Sequence, residues 1–170
     1  MQLADVPDNE AERLASLDSL ELSREREARY SELVELAAFV AHTPMATISV
    51  VEENEIWFKG SIGLPVDGVD RPTSICGHTV NSDRMLVIPD TLLDDRFHDN
   101  PLVVDPPNVR FYAGTPLIVD DGLAVGTLCV LDTRPRTFLT DERRALQIIA
   151  NQVMTQLRTD RLARQVTDAR

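Results

Sequence analysis

The sequence predicts an α+β domain in which helices pack on an antiparallel β-sheet. Glycine and proline indicate this organisation, because all seven glycines lie within residues 60–126 and nine of the ten prolines lie within residues 44–135. Neither residue type occurs in residues 8–43 or 136–170, so both flanks suit long helices. The middle of the chain alternates short apolar runs with turn residues, which is typical of strands. This order of elements favours the α+β class.

The N-terminal flank is predicted to contain an amphipathic helix. Between Tyr30 and Ala41 the apolar residues recur at steps of three and four, which is the period of an α-helix. We assign residues 1–29 to a helical extension, residues 30–156 to the domain itself, and residues 157–170 to the end of the last helix.

The C-terminal flank predicts a second amphipathic helix. Thr140 is a suitable N-cap, and Asp141 and Glu142 favour the positive end of the helix dipole. One apolar face follows, made of Leu146, Ile149, Val153 and Leu157.

The two flanks carry opposite charges. Residues 1–43 contain ten acidic residues and four arginines, a net charge of −6, whereas residues 136–170 contain four acidic residues and seven arginines, a net charge of +3. Opposite charges favour packing of the two helices, within one chain or across a dimer. The alternative is two solvated faces with unrelated charges.

Between the flanks, strands are predicted at residues 46–51 and 56–60, joined by a turn at Glu53-Asn54, and at residues 85–88, which Pro89 ends.

Two short helices and a loop complete this region. Ser74 could cap a helix that runs to about Asn81, and Thr91 with Asp94 three residues later resembles a capping box. Three prolines predict a loop over residues 100–108.

Residues 111–132, FYAGTPLIVDDGLAVGTLCVLD, predict a β-hairpin. Its two apolar runs flank Asp121-Gly122, a dipeptide that readily takes the positive φ angles of a tight turn. Gly114 and Gly126 lie within the two strands, where glycine usually marks a bulge or the close approach of backbone or ligand.

Composition excludes several classes of protein. The 170-residue chain has a net charge of −11 and one lysine, Lys59, so we expect it to repel phosphate backbones and to bind no nucleic acid. No apolar run approaches the roughly 20 residues of a membrane helix, and no secretory signal pattern opens the chain. We therefore expect a cytoplasmic protein without membrane association. Cys76 and Cys129, which lack CxxC spacing, are expected to be buried thiols rather than a disulfide or a metal site.

Five segments, in order, resemble the GAF domain family. ISVVEENEIWFKGSIGLPV (48–66) resembles its first hairpin, SICGHTV (74–80) the helix after the second strand, and LVIPDTLLDDRFHDNPLV (86–103) its segment written VPD…DPRF…NPLV. VRFYAGTPL (109–117) and AVGTLCVLD (124–132) are similar to its closing hairpin almost residue for residue.

The resemblance covers residues 30–156 and is greatest with bacterial sensory domains found beside signalling output domains. It implies that the terminal helices pack on one face of the sheet, with short helices and loops over the other. It also implies a non-catalytic sensory domain that binds a small molecule of unidentified structure beside the sheet and forms a homodimer through the terminal helices. No output domain follows Arg170, so we expect either a longer signalling protein or a separate partner protein.

The pocket that the resemblance implies needs aromatic side chains and a few polar groups. By the resemblance, Phe111, Tyr112 and Gly114 face this pocket, although ordinary core packing explains Phe111 and Trp57 equally well. We predict no catalytic residue and no metal site. The predicted pocket positions are Trp57, Phe58, Cys76, His78, Asp90, Phe97, Arg110, Phe111, Tyr112, Gly114 and Cys129.

Two alternatives to a ligand sensor stay open. A thiol-dependent reductase of free methionine sulfoxide would act through Cys76, because Cys76-Gly77 resembles a pair in that branch of the family. Residues 94–105 offer no resolving cysteine, however, and a thiol without a partner cannot complete disulfide turnover. The other alternative is a dimerisation scaffold without a ligand.

Other ligands have weaker support. On a helix, Cys76 and His78 point about 200° apart, which disfavours a shared metal or catalytic dyad. Gly77 between them also disfavours attachment of a bilin, and the cyclic-nucleotide signature of the family cannot be traced. A cluster of His98 with Asp94 and Asp95 has spacing that would allow metal ligands, but a solvated, salt-linked loop explains it as well.

Overall fold

The structure, a computed structural model that describes residues 1–169, is built on a six-stranded antiparallel β-sheet. In chain order the strands are β1 (Met45–Val51), β2 (Glu55–Ile62), β3 (Gly68–Asp70), β4 (Leu86–Ile88), β5 (Phe111–Ile118) and β6 (Ala124–Asp132). Their spatial order is β3-β2-β1-β6-β5-β4, so β1 and β6 are central. The predicted α+β class is confirmed, and the short edge strand β3 is an addition to the prediction.

Helices cover both faces of the sheet. They are α1 (Glu10–Ser19), α2 (Ala28–Ala41), α3 (Cys76–Thr79), α4 (Pro101–Val104) and α5 (Thr140–Asp168), with a 3₁₀ turn at Thr91–Leu93. Within residues 1–169, none of them is long and apolar enough to cross a membrane. Arg170, the last residue of the predicted end segment 157–170, lies outside the described residues.

Side chains of the central strands alternate between two apolar clusters. Leu128 and Val130 of β6 belong to the cluster beneath α2 and α5, which we call the helix-side core. Cys129 and Leu131 belong to the cluster on the opposite face, which we call the pocket-side core and which includes Cys76 of α3. This alternation is the two-residue period of a strand.

Helices α2 and α5 pack together in antiparallel directions. The Tyr30 hydroxyl, early in α2, donates to the Asp160 carboxylate late in α5, while Arg136, just before α5, donates to the His42 carbonyl just after α2. The terminal helices therefore share one face of the sheet, as expected from the resemblance.

The N-terminal flank forms two helices instead of one long one. Residues 20–27 separate α1 from α2, and Glu21 takes a φ of 52° that ends the helical path. Buried Lys59 fixes this connection, because its Nζ donates to the carbonyl oxygens of Ser23 at 2.6 Å and Glu25 at 3.3 Å. The break between α1 and α2 therefore comes from a tertiary contact. No glycine or proline in the sequence indicates it.

Helix α5 begins one residue earlier than its predicted cap implies. Thr140 is its first residue, and the N-cap position belongs to Leu139. The Glu142 carboxylate accepts the Leu139 backbone N–H at 2.9 Å, so this acidic side chain provides the capping contact.

The short elements differ in detail from their predictions. The Ser74 hydroxyl accepts the Gly77 N–H at 2.9 Å as a cap would, but helix α3 spans only Cys76–Thr79. The 3₁₀ turn that begins at Thr91 is capped by Asp90, not by Thr91.

The predicted loop 100–108 contains helix α4, because Asn100 caps it and Pro101 occupies its first turn. Proline is compatible with that position, where a backbone N–H has no helical partner.

The hairpin of β5 and β6 follows its prediction closely. Gly122 in the turn has a φ of +85°, a conformation that glycine adopts without strain. A Cβ atom at Gly126 would lie 2.1 Å from the carbonyl oxygen of Ser49. Gly126 therefore allows the close approach of β1 to β6, which is the backbone role expected of a glycine within a strand.

Candidate functional site

A cavity of about 50 Å³ lies between the pocket-side face of the sheet and helix α3. It exceeds the roughly 10–15 Å³ that one water requires, but it is smaller than the roughly 300–1,000 Å³ of typical ligand sites. Its lining residues are all uncharged, namely Thr47, Ser49, Phe58, Leu64, Val66, Val69, Ser74, Ile75, Cys76, Leu102, Pro107, Val109, Tyr112, Cys129 and Leu131. Four predicted pocket positions, Phe58, Cys76, Tyr112 and Cys129, are thus brought together.

Hydroxyl and thiol groups form a connected cluster on the sheet side of this cavity. Thr127 Oγ1 donates to Cys76 Sγ at 3.1 Å, and the Tyr112 hydroxyl lies 3.4 Å from the same sulfur. Cys129 Sγ lies 3.8 Å from Cys76 Sγ and 3.0 Å from Thr47 Oγ1. Both cysteines are free and buried, as predicted.

The two thiols differ in acidity. The hydrogen bond from Cys129 lowers the pKa of Cys76 below its ordinary value, aided by hydrogen bonds from Thr127 and Tyr112 and opposed by burial. The same sulfur–sulfur contact, together with burial, raises the pKa of Cys129 well above its ordinary value. The hydroxyl groups of Thr127 and Tyr112 beside Cys76 Sγ therefore favour the thiolate on this cysteine. Residues 94–105 offer no resolving cysteine, but β6 brings Cys129, 53 positions away in sequence, next to Cys76, so this thiol does have a partner.

Gly114 lies on the same face as Tyr112, but a side chain occupies the space above it. A Cβ atom at Gly114 would lie 2.2 Å from the Tyr112 phenol oxygen and 2.6 Å from its Cζ atom. The Tyr112 hydroxyl also lies 2.8 Å from Thr79 Oγ1 on α3. Gly114 therefore accommodates the Tyr112 ring, and this side chain occupies the space where the approach of backbone or ligand was expected.

Phe111 and Trp57 lie in the helix-side core, away from the cavity. Phe111 packs against Phe138, with ring centroids 5.6 Å apart. The expectation that Phe111 shares a face with Tyr112 is wrong, because neighbouring residues of a strand point to opposite faces. Core packing, the alternative reading, accounts for both aromatic residues.

His78 lies beneath the N-terminal segment, residues 1–8, and does not line the cavity. Its Nε2 atom is 3.2 Å from the Gln2 carbonyl oxygen, and its ring meets Phe97 edge to face with centroids 4.8 Å apart. Burial lowers the pKa of His78, which favours a neutral imidazole that donates to this carbonyl. Phe97 belongs to the pocket-side core behind the cavity wall.

The remaining polar positions form ion pairs outside the cavity. Arg110 Nη2 contacts both carboxylate oxygens of Asp90, at 3.0 and 3.1 Å, and this pair fixes the start of the 3₁₀ turn. In the alternative metal cluster around His98, the Asp94 carboxylate instead binds Arg96 Nη2 at 2.8 Å.

The buried hydroxyl residues around the two cysteines were missed by sequence reasoning. Thr47, Ser49 and Thr127 are buried on the pocket-side face, where each hydroxyl has a hydrogen-bond partner. A signal was present in β1, where Thr47 and Ser49 alternate with apolar residues. Polar side chains on one face of a buried strand require hydrogen-bond partners. Thr47 and Ser49 in β1 therefore indicate a polar site within the core.

Comparisons with known proteins agree on the family. The model of the GAF domain family matches residues 24–157. A curated relative, a cyclic di-GMP phosphodiesterase of Pseudomonas aeruginosa, is 37% identical over 155 residues, which span 90% of this chain and 26% of that protein. The chain thus corresponds to about a quarter of this relative.

Two solved structures share the fold. The PixJ GAF domain of Thermosynechococcus elongatus, in its blue-light absorbing form, has a TM-score of 0.67 at 17% identity and covers 97% of this chain and 96% of its own. Free methionine-R-sulfoxide reductase of Neisseria meningitidis has a TM-score of 0.66 at 16% identity and covers 90% of both chains. With the family model matching most of its length, this chain belongs to the GAF domain family.

Proposed function

We propose that this GAF domain is a cytoplasmic, non-catalytic sensory module that binds a small uncharged molecule and regulates a signalling output domain or partner protein. The cavity beside α3 carries the proposal. Its wall is apolar, with hydroxyl and thiol groups at one side, and this combination suits a small neutral ligand that makes a few oriented hydrogen bonds.

Charge argues against an anionic ligand at this site. All residues that line the cavity are uncharged, and an unpaired phosphate in such a site would lose several kcal/mol of hydration energy. The Pseudomonas relative is named for action on cyclic di-GMP, and the matched part is about a quarter of that protein. We therefore propose a regulatory role for this domain and no binding of cyclic di-GMP in its cavity.

The outer wall of the cavity offers a way to enlarge it. Leu64 and Val66 lie in the connection between β2 and β3, and Pro107 and Val109 lie between α4 and β5. Val66 is 45% exposed, so its movement sacrifices little buried surface. A ligand that favours the enlarged state would shift the population towards it.

Strand β2 connects the cavity with the terminal helices. Phe58 lines the cavity, whereas the next residue, Lys59, points to the opposite face and places its Nζ 2.7 Å from Glu27 Oε1. This Nζ also lies 4.9 Å from the centre of the Tyr30 ring, and Tyr30 donates to Asp160 of α5. A shift of β2 would therefore reach α2 and α5 through side chains that contact one another.

We further propose a homodimer through α2 and α5, which would convert such a shift into an output. These helices carry large exposed apolar side chains: Leu36, Phe39, Ile148, Leu162 and Val166. Phe39 is 75% exposed. In water such a surface gains free energy when a second copy covers it.

The reductase alternative requires a site for a free amino acid. Methionine sulfoxide carries an ammonium and a carboxylate group, for which the uncharged cavity lining supplies no charged partner. A low rate of sulfoxide reduction that Cys76→Ser abolishes would contradict the non-catalytic proposal.

Native mass spectrometry of protein purified from cells tests the proposal. We expect one uncharged compound of low mass per chain, present in the wild type and in Ser31→Leu, an exposed control on α2, and lost in Ser49→Leu, which fills the cavity. A compound that Ser49→Leu retains, or a bound nucleotide, would contradict it. A wild type that binds nothing and shows no thermal shift across a metabolite panel would favour the ligand-free scaffold.

A further inference from the structure

The only two cysteines of the chain meet at the cavity. Cys76 begins helix α3 and Cys129 lies in the middle of β6, yet their Sγ atoms are 3.8 Å apart. Neither is bonded to another cysteine. A pair of free thiols at this distance has a chemistry that a single buried thiol lacks, because one sulfur can resolve what forms on the other.

The surroundings make the two sulfurs unequal. Cys76 Sγ receives a hydrogen bond from Thr127 Oγ1 at 3.1 Å and lies 3.4 Å from the Tyr112 hydroxyl. These groups stabilise a thiolate on Cys76, and the thiolate is the nucleophilic form of cysteine. Cys129 Sγ, which lies 3.0 Å from Thr47 Oγ1 and 3.8 Å from Cys76 Sγ, is positioned as the second thiol.

The cavity limits which reagent reaches the pair. Both sulfurs line it, and Cys76 retains 8% of its surface accessible against 1% for Cys129. A volume of about 50 Å³ admits hydrogen peroxide, which is uncharged and little larger than the water that needs ~10–15 Å³. A charged reagent would find no charged partner in the uncharged lining.

We propose that Cys76 and Cys129 are a redox-active dithiol that hydrogen peroxide converts into an intramolecular disulfide. The Cys76 sulfur attacks one peroxide oxygen, so that an S–O bond forms and the O–O bond breaks. The second oxygen leaves as water after taking up one proton, which balances the proton released when the Cys76 thiolate forms, and Cys76 becomes a sulfenic acid.

The Cys129 sulfur then attacks the Cys76 sulfur. The S–S bond forms, the S–O bond breaks, and the hydroxyl group leaves as a second water with the Cys129 proton. Two thiols lose two electrons in total, and one peroxide is reduced to two waters.

Formation of the Cys76–Cys129 disulfide changes the cavity wall. A disulfide requires a sulfur separation of about 2.05 Å, so α3 and β6 must approach each other or both side chains must rotate. The sulfur that accepts from Thr127 then carries no negative charge, and this hydrogen bond weakens. Oxidation would therefore change the position of the cavity wall and the hydrogen bonds around Cys76 even when no ligand is bound.

Intact mass and thiol counting of the full chain test the proposal. After treatment with a small excess of hydrogen peroxide, we expect the wild type to lose two hydrogen atoms in mass and both titratable thiols, with a Cys76–Cys129 cross-link in the peptide map. Dithiothreitol should restore both thiols. Retention of both thiols in the peroxide-treated wild type, or disulfides formed only between chains, would overturn the proposal.

Variants assign the order of events. Cys129→Ser should stop at one added oxygen on Cys76, trapped by dimedone, whereas Cys76→Ser should keep its remaining thiol. Thr127→Val should slow thiol loss several-fold. Its control is Thr115→Val, because the Thr115 hydroxyl is also buried but bonds Gln147 on α5 at 2.8 Å. Equal rates in these two valine variants would contradict the role of Thr127.

The result is separable from the ligand proposal. The wild-type peroxide measurement is made on protein freed of ligand by unfolding and refolding, so its outcome does not depend on ligand binding. Disulfide formation here, together with native mass spectra that show no bound compound, would contradict the sensory proposal and leave the dithiol proposal standing.

Discussion

The ring of Tyr112 occupies the space that a side chain at Gly114 would need. The two residues are two positions apart in β5 and point to the same face, and a Cβ atom at Gly114 would lie 2.2 Å from the phenol oxygen. The phenol also contacts Thr79 at 2.8 Å and Cys76 at 3.4 Å on α3. The absence of a side chain at one position thus determines where one wall of the cavity stands.

Gly114→Ala should therefore displace the Tyr112 ring. We expect a loss of about 1–3 kcal/mol in the free energy of unfolding, the usual cost of overpacking a core, measured by urea denaturation. In a Tyr112→Val background the same change should cost much less, because the ring is gone. An equal cost in both backgrounds would show that the clash with Tyr112 is not the cause.

The exposed apolar side chains of α2 and α5 predict a dimer that polar substitution disrupts. Phe39→Gln and Leu162→Gln together should convert a dimer into a monomer in light scattering at micromolar concentration, with the fold retained by circular dichroism. Leu93→Gln is the control, because Leu93 is 83% exposed but lies in the 3₁₀ turn on the other face. A monomeric wild type, or dissociation caused by Leu93→Gln, would refute the proposed interface.

The ion pairs of Glu10 with Arg71 and Arg13 predict a loss of stability in acid. Burial raises the pKa of Glu10, but hydrogen bonds from Arg71 and Arg13 and their charges outweigh this and lower it from 4.5 to about 2. A carboxylate with a depressed pKa stabilises the fold above its unfolded pKa, and this contribution is lost as the pH falls through 4.5 towards 2. Glu10→Gln should cost about 1–3 kcal/mol at pH 7 and converge with the wild type at low pH.

Urea denaturation between pH 7 and pH 2 measures this difference. Glu12→Gln is the matched control on the same helix, because Glu12 is exposed; we expect a change within about 0.5 kcal/mol. Curves for Glu10→Gln and the wild type that stay parallel down to pH 2 would contradict the assigned role of this carboxylate.

Local sequence signals predicted five of the six strands and the main turn, because these elements depend on residues that are close together in the sequence. The short strand β3 was not predicted. The positive φ of Gly122 and the apolar face of α5 are two features that local signals predicted. The break between α1 and α2 was not predictable in this way, because Lys59 fixes it from strand β2.

The candidate site was predicted less completely than the fold. Of the predicted pocket positions, Phe58, Cys76, Tyr112 and Cys129 line the cavity, whereas Phe111 belongs to the opposite face. Cys76 and Cys129 are 53 positions apart, so no local sequence pattern relates them. The fold of the chain, which places α3 against strand β6, brings them together. Their contact needed the three-dimensional structure.

The most direct test of the proposed sensory function compares neutral and anionic probes of matched shape. Amide resonances of Val109, Tyr112 and Cys129 would be followed by NMR during titration with isobutanol and benzyl alcohol, and with isobutyrate and benzoate. We predict that the alcohols shift these resonances in the wild type and in Ser31→Leu, that Ser49→Leu abolishes the shifts, and that the carboxylates produce none. Equal shifts with the carboxylates, or no shift at these positions with either alcohol, would contradict a cavity for small uncharged ligands.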